Sequence, residues 1–386
     1  MTRILISAGE ASGDLHAGAI CQALLQQEPG AEVYGMGGDH LRAAGGKVLF
    51  DIKDHSVMGF VEVLCKLPDI LRLRKEFIRL MDEYRPDVLL TIDYPGFNMR
   101  LARLAKERGI PVVSFIPPSA WAWRPSRAAG VVKVVDKIAS IFPFEYDLYK
   151  RYGADIEFVG HPLVDTVHPS LPRQEAEALA GKRQGHPLIL LLPGSRPMEI
   201  QRLLPVMLEA ARMLKEHHPD FDFVMPRAST IPQEELQQAV DRCGLKVTIT
   251  NGGTYDIMSV ADFAIATSGT VTLEAALCDL PCVILYKSSP LSFWIAKHVV
   301  EIPNIGLPNI VAGRLIEPEL LQEQCTPEQV AKTTEELLEP ARYAQLKKDL
   351  AETRARLGKP GAVQRVAELV LRVAAQGKAR RLHESV

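Results

Sequence analysis

The stretch Ala261 to Pro281, ADFAIATSGTVTLEAALCDLP, sets Ser268, Gly269 and Thr270 directly after an apolar run, with Glu274 about a turn further on. Small residues that open a helix leave backbone N–H groups and the positive end of the helix dipole facing outward, which suits a diphosphate. Glu274 is then placed to meet the hydroxyls of an attached sugar. The same residues also make an ordinary capped helix with an acid near its start. Leu192-Pro193-Gly194-Ser195-Arg196 repeats the theme after a second apolar run, LILLL. Gly194 and Ser195 offer backbone N–H groups, and Arg196 can neutralise charge that develops on a leaving diphosphate. Pairing of Arg196 with Glu199 is the plainer use of the same arginine.

Acids fall at other strand ends. Asp93 follows the apolar or small run VLLTI. A carboxylate there is partly desolvated, which raises its pKa and suits a general base for a sugar hydroxyl; a turn-forming Asp ahead of Pro95-Gly96 is the alternative. Asn98, in the Pro95-Gly96-Phe97-Asn98 loop, offers both donors and acceptors. Gly9-Glu10-Ala11-Ser12-Gly13-Asp14 forms another turn, where Ser12 and a helix start can hold a phosphate and Glu10 can face a cleft. It has neither dinucleotide nor P-loop spacing. Ser119, Trp121 and Trp123 lie in PPSAWAWR, where a tryptophan can pack a sugar ring or a lipid chain, or simply start a helix.

These turns need strands to carry them. Strand-like runs alternate with helical patterns through most of the chain: Arg3–Ser7, Glu32–Tyr34, Asp87–Ile92, Pro111–Ile116, Lys137–Phe142 and Glu157–Val159, then Leu188–Leu192, Asp222–Met225, Val247–Thr250, Phe263–Ala266 and Cys282–Leu285. That alternation predicts α/β layers on two parallel, doubly wound sheets. Ligands in such sheets bind beyond the carboxyl ends of the strands. A polar, Pro- and Gly-punctuated stretch from Thr166 to Gly185 predicts a linker with room for one short helix. The expected domains are 1–168, 185–345, and a C-terminal helical segment with a polar tail over 346–386.

The 386 residues suit two to three domains, and net charge −2 gives no electrostatic case for nucleic acid. Six scattered cysteines without a C-x-x-C pair read as reduced structural thiols, and no histidine spacing suggests a metal site. The short apolar run at the N-terminus and the lack of a span-length apolar stretch predict a cytoplasmic protein. Ser56 to Arg74 is dense in apolar residues (Val57, Met58, Phe60, Val61, Val63, Leu64, Leu67) flanked by Lys66, Arg72 and Arg74. It reads as a buried helix, a homodimer contact, or a patch resting on an anionic membrane.

GEASGD, VMGFVEVL, TIDYPGFN, PPSAWAWR, FPFE, VGHPLVD, LLPGSR, ATSGTVTLEAAL and LPNIVAGR occur in that order. Together they resemble the lipid-A-disaccharide synthase family over nearly the whole chain. The resemblance implies a GT-B glycosyltransferase with two Rossmann-like domains facing a cleft, an inverting reaction, and no metal or cofactor. It implies UDP-2,3-diacylglucosamine as donor, 2,3-diacylglucosamine 1-phosphate (lipid X) as acceptor, and work at the cytoplasmic face of the inner membrane. Residue by residue, it gives Gly194, Ser195, Arg196, Ser268, Gly269, Thr270, Glu274 and Asn309 to the donor. Asp93, or else Glu10, becomes the base. Ser12, Gly13, Asn98, Ser119, Trp121 and Trp123 go to the acceptor, and the apolar stretch after Ser56 to the membrane. The family often has Asp-Phe where this chain has Gly96-Phe97, so no catalysis rests on that position. A UDP-sugar 2-epimerase, or a non-enzymatic UDP-sugar-binding protein at a membrane surface, would share the diphosphate turns.

Overall fold

The computed structural model describes residues 1–55, 67–123, 125–289, 293 and 303–383. Among these the chain divides into two compact units, Met1–Pro162 with Lys359–Val386, and Leu163–Gly358.

The first unit is built on seven parallel strands: β1 Arg3–Ala8, β2 Glu32–Gly37, β3 Lys47–Asp51, β4 Val88–Ile92, β5 Val112–Phe115, β6 Lys137–Ser140 and β7 Ile156–Phe158. Their order is β3-β2-β1-β4-β5-β6-β7. Strands β4 and β5 are buried throughout, as expected for a sheet covered on both faces. The helix Leu67–Tyr84 buries Leu73, Phe77, Leu80 and Met81, a helical stripe that packs into the core, and leaves Leu71 47% exposed.

The second unit carries β8 Leu188–Leu192, β9 Asp222–Arg227, β10 Thr248–Asn251, β11 Phe263–Thr267, β12 Cys282–Tyr286 and β13 Glu319–Leu321, all parallel, in the order β10-β9-β8-β11-β12-β13. In both sheets the strand order reverses beside the first strand, between β1 and β4 and between β8 and β11. Crevices at the carboxyl ends open at such reversals.

Several expectations need correction. Strands β3 and β13 were not foreseen. The short helix allowed for in the linker stretch is there, at Arg173–Ala180, but residues 163 to 184 belong to the second unit and do not form a free linker. The C-terminal segment is split: Pro340–Arg356 stays with the second unit, whereas Ala362–His383 returns to the first, against the helix Ala11–Gln27 and strands β4 to β6. Gly377 permits that contact, because a Cβ there would run into the Asp87 carbonyl. Val57, Met58, Phe60, Val61, Val63 and Leu64 lie outside the described residues, and Leu67 opens its helix.

Candidate functional site

In the first unit the register Ala8↔Ile92 brings the end of β1 beside the end of β4. Gly9 and Glu10 therefore emerge next to Asp93. The helix begins at Ala11, earlier than expected, with Glu10 as its N-cap. Ser12 is exposed in its first turn, while Gly13 is buried against Ala8 and the Ile92 carbonyl, so packing accounts for that glycine.

Asp93 and Tyr94 both adopt left-handed backbone, with φ of 48° and 49°, and Ile116 after β5 does the same at 55°. Such φ values are costly for residues with side chains and cluster at functional sites. Burial raises the Asp93 carboxyl above the ordinary range, and a hydrogen bond from the Tyr94 N–H only partly offsets that. Burial and the neighbouring Glu10 charge raise the Tyr94 phenol too. A Cβ on Gly9 would overlap the Tyr94 ring, so glycine is required for the approach of β1 to this turn.

Pro95-Gly96-Phe97-Asn98 is not a loop. It is the first turn of the helix Pro95–Glu107, with proline at the position that needs no N–H. Asn98 is fully buried. Its Nδ2 donates to the carbonyls of Ser7 (3.2 Å), Ile92 (3.2 Å) and Asp93 (2.7 Å), and its Oδ1 accepts from Ser7 Oγ at 2.7 Å. The expected acceptor ligand is thus a clamp joining β1 to the Asp93 turn.

Trp121 takes the plainer of its two expected roles, a packed residue in the short helix Ala120–Trp123. Its Nε1 donates to Glu145 Oε1 at 3.1 Å, and its ring meets Phe144 edge-on at 4.9 Å. It belongs to an aromatic cluster with Phe142. Ser119 is exposed, and Trp123 ends the short helix Ala120–Trp123. Glu145, which sequence reasoning gave no role, is buried, and its Oε2 has no partner among the described residues. Burial pushes its carboxyl up to about 7, with the Asp93 charge contributing a smaller rise. The signal was present in FPFE: a helix-opening proline followed two residues later by an acid.

In the second unit the register Ala266↔Leu192 sets the Pro193–Arg196 turn beside Thr267 and Ser268. The two turns line a cavity of about 400 Å³ that gathers Gly194, Ser195, Arg196, Ser268, Gly269, Thr270 and Glu274, together with Glu199 and Arg227. Ser268 spends its backbone N–H on the Leu285 carbonyl (2.8 Å) and its Oγ on the Ile305 carbonyl (3.3 Å). Gly269 leads into the helix Thr270–Leu277, whose first N–H groups have no intrahelical acceptor. Tyr255 Oη donates to Glu274 Oε1 at 3.3 Å; burial raises the Glu274 carboxyl.

Arg196 pairs with Glu199 at 3.1 Å while 79% exposed, so the plainer use of this arginine is realised. Asn309 does not reach the cavity. It is fully buried in the helix Leu307–Ala312, donating to the Glu317 carbonyl and Glu319 Oε1 (both 2.8 Å) and accepting from the N–H groups of Ile316 and Glu317 (2.8 and 2.9 Å). All four hydrogen-bonding positions of that amide are filled. Among the described residues no cluster of His, Cys, Asp and Glu could hold a metal ion, and no helix is long and apolar enough to cross a membrane.

Two Rossmann-like parallel-sheet units, one with phosphate-type turns at the switch point of its sheet, define the GT-B class of glycosyltransferases and related nucleotide-sugar enzymes. Solved structures share the fold. UDP-GlcNAc 2-epimerase from Neisseria meningitidis bound to UDP-GlcNAc aligns with a TM-score of 0.64 at 12% identity, covering 96% of this chain and 100% of that one. The MurG structure from Acinetobacter baumannii aligns at 0.59 and 15%, covering 96% and 99%.

Sequence comparison is more specific. The family model described as lipid-A-disaccharide synthetase matches residues 4–373. The lipid-A-disaccharide synthase of Trichlorobacter lovleyi is 42% identical over 97% of this chain and 98% of its own length. That of Anaeromyxobacter dehalogenans strain 2CP-C is 45% identical over 96% and 97%. The chain belongs to the lipid-A-disaccharide synthase family, and it is a glycosyltransferase.

Proposed function

We propose that this enzyme joins the sugar of UDP-2,3-diacylglucosamine to the 6-hydroxyl of 2,3-diacylglucosamine 1-phosphate, releasing UDP. The observation that carries this reading is Asp93: a half-buried carboxyl held on left-handed backbone at a strand end, its pKa raised by burial. A base in that setting accepts a proton from a hydroxyl without water competing for its charge. The deprotonated oxygen attacks the anomeric carbon from the face opposite UDP and inverts it. Glu10, exposed at the neighbouring turn, is the second candidate for the base.

The cavity of the second unit takes the UDP diphosphate. Gly269 and the first N–H groups of the helix Thr270–Leu277 receive one phosphate, and the Gly194–Arg196 turn the other. Arg196 brings its exposed positive charge to the departing diphosphate, and Glu274, oriented by Tyr255, accepts from the ribose hydroxyls. Ser12 and Ser119, both exposed in the first unit, remain acceptor contacts. Work at the cytoplasmic face of the inner membrane follows from the acyl chains on both substrates and is supported by exposed Leu71 beside Arg72 and Arg74.

Incubating donor with and without acceptor tests the reaction. Acceptor-dependent UDP release is expected, and Asp93→Asn should lower it by roughly 10²–10⁴-fold while leaving UDP binding intact. A 2-epimerase reading is favoured by the fold shared with UDP-GlcNAc 2-epimerase. UDP release or epimer formation without acceptor would establish that reading instead.

A further inference from the structure

The Pro193–Arg196 turn already holds an anion, and the anion is part of the chain. Glu199 Oε2 accepts from the Ser195 N–H at 3.0 Å and from the Arg196 N–H at 3.2 Å. Glu199 Oε1 accepts from Arg196 Nη1 at 3.1 Å. An acid at this position of a helix ordinarily returns one bond to the N-cap backbone. Here the carboxylate takes the N–H groups of two successive residues and the guanidinium as well, an arrangement of donors that fits a phosphate group equally well.

The local backbone is built around that seat. Gly194 has φ of 113°, and a Cβ on it would fall on Glu199 Oε2, so the glycine makes room for the carboxylate. Thr230 Oγ1 donates to the Ser195 carbonyl at 2.6 Å and fixes the other side of the turn. Glu199 lines the same cavity as Thr270 and Glu274. A diphosphate in this cavity would meet a carboxylate that repels it and that already uses the donors it needs.

We propose that Glu199 is an internal competitor of the donor's diphosphate: its carboxylate leaves the Ser195–Arg196 turn when the diphosphate enters, releasing Arg196 to the leaving group, and its return helps expel UDP. The inference rests on the assignment of this cavity to the donor. It explains why an arginine given to a diphosphate is held by an acid three residues away. It also makes Glu199 a residue that weakens product binding and speeds turnover.

Glu199→Gln keeps the shape of the side chain and a weaker acceptor for the helix cap, but removes the charge. Titration of wild-type enzyme and this variant with UDP, and separately with inorganic pyrophosphate, reads the effect. Both probes should bind the variant about tenfold more tightly, product inhibition by UDP should strengthen, and kcat should fall. A folded variant with equal or weaker affinity for both probes would overturn the proposal whatever its melting temperature, because a cap alone changes stability and leaves the affinity where it was. Glu199→Asp, too short to span both N–H groups, should move affinity in the same direction by less, and serves if the amide variant folds poorly. Wild-type enzyme that binds neither probe would remove the donor assignment itself, an outcome distinct from failure of the competition.

Discussion

The two sheets end in turns of opposite chemistry. At the end of β4 and β5 the left-handed positions belong to Asp93, Tyr94 and Ile116, all of which carry side chains. At the end of β8 the left-handed position is Gly194, and the turn after β11 has Gly269 with open space where a Cβ would stand. A turn that serves a ligand with backbone N–H groups does best with glycine. A turn that must aim a carboxyl keeps the side chain and accepts the strain, which Asn98 offsets by tying three carbonyls together. On the proposed function the first unit is organised for moving a proton, the second for receiving an anion.

The sharpest way to break this contrast is Asp93→Asn. Loss of a general base should lower turnover by roughly 10²–10⁴-fold, while calorimetric affinity for UDP stays at the wild-type value. Near-normal turnover would dissolve the division of labour. Next comes Gly9→Ala. The added methyl must displace the Tyr94 ring and with it the Asp93 turn, so kcat should fall by about tenfold or more if the displacement removes about 1.4 kcal/mol of transition-state stabilisation. Tyr94→Gly, which vacates the space and suits the left-handed backbone, should restore part of it in the double variant. An effect on stability rather than rate is shared by the two units. Asn98→Ala and Asn309→Ala each leave buried backbone groups without partners, and each should cost about 1–3 kcal/mol for every group so left, read from denaturant unfolding.

A further effect is one of pH. Glu145 has a folded-state pKa raised to about 7 from 4.5. Its protonated form stabilises the fold fully below the unfolded value, and that contribution is lost as pH rises to about 7. Glu317 in the second unit, pushed up to about 8 by burial, extends the same loss to higher pH. Glu145→Gln should flatten the decline between about pH 4.5 and 7, and Glu317→Gln should flatten it up to about 8, in unfolding curves taken across that range.

Much of this arrangement was legible in the sequence. Strand-like runs of three to six residues announce eleven strands, and the small or acidic residues after them mark the turns that line the cavity and frame Asp93. The missed strands have physical reasons. Strand β3 is a half-exposed sheet edge, KVLFD, and β13 is three residues long, so neither makes a continuous apolar run. Asn98 and Asn309 were read as ligands because a polar residue near a turn looks the same whether its amide faces a substrate or the backbone; only the carbonyls and N–H groups around it decide. Pro95 marks a helix start, which the Pro-Gly pair disguises as a loop. Nothing in the pattern of Ala362–His383 says which sheet it covers, since an amphipathic helix fits either.

That last helix has a consequence for synthesis. One flank of the first sheet, over β4 to β6 and beside the helix Ala11–Gln27, is covered by residues made more than two hundred positions after those strands. On the ribosome the second unit can be whole while the first still exposes an apolar face. Chains halted before residue 362 should therefore be recognised by chaperones through their oldest part, and a stop mutation near the C-terminus should injure the half of the enzyme that was translated first.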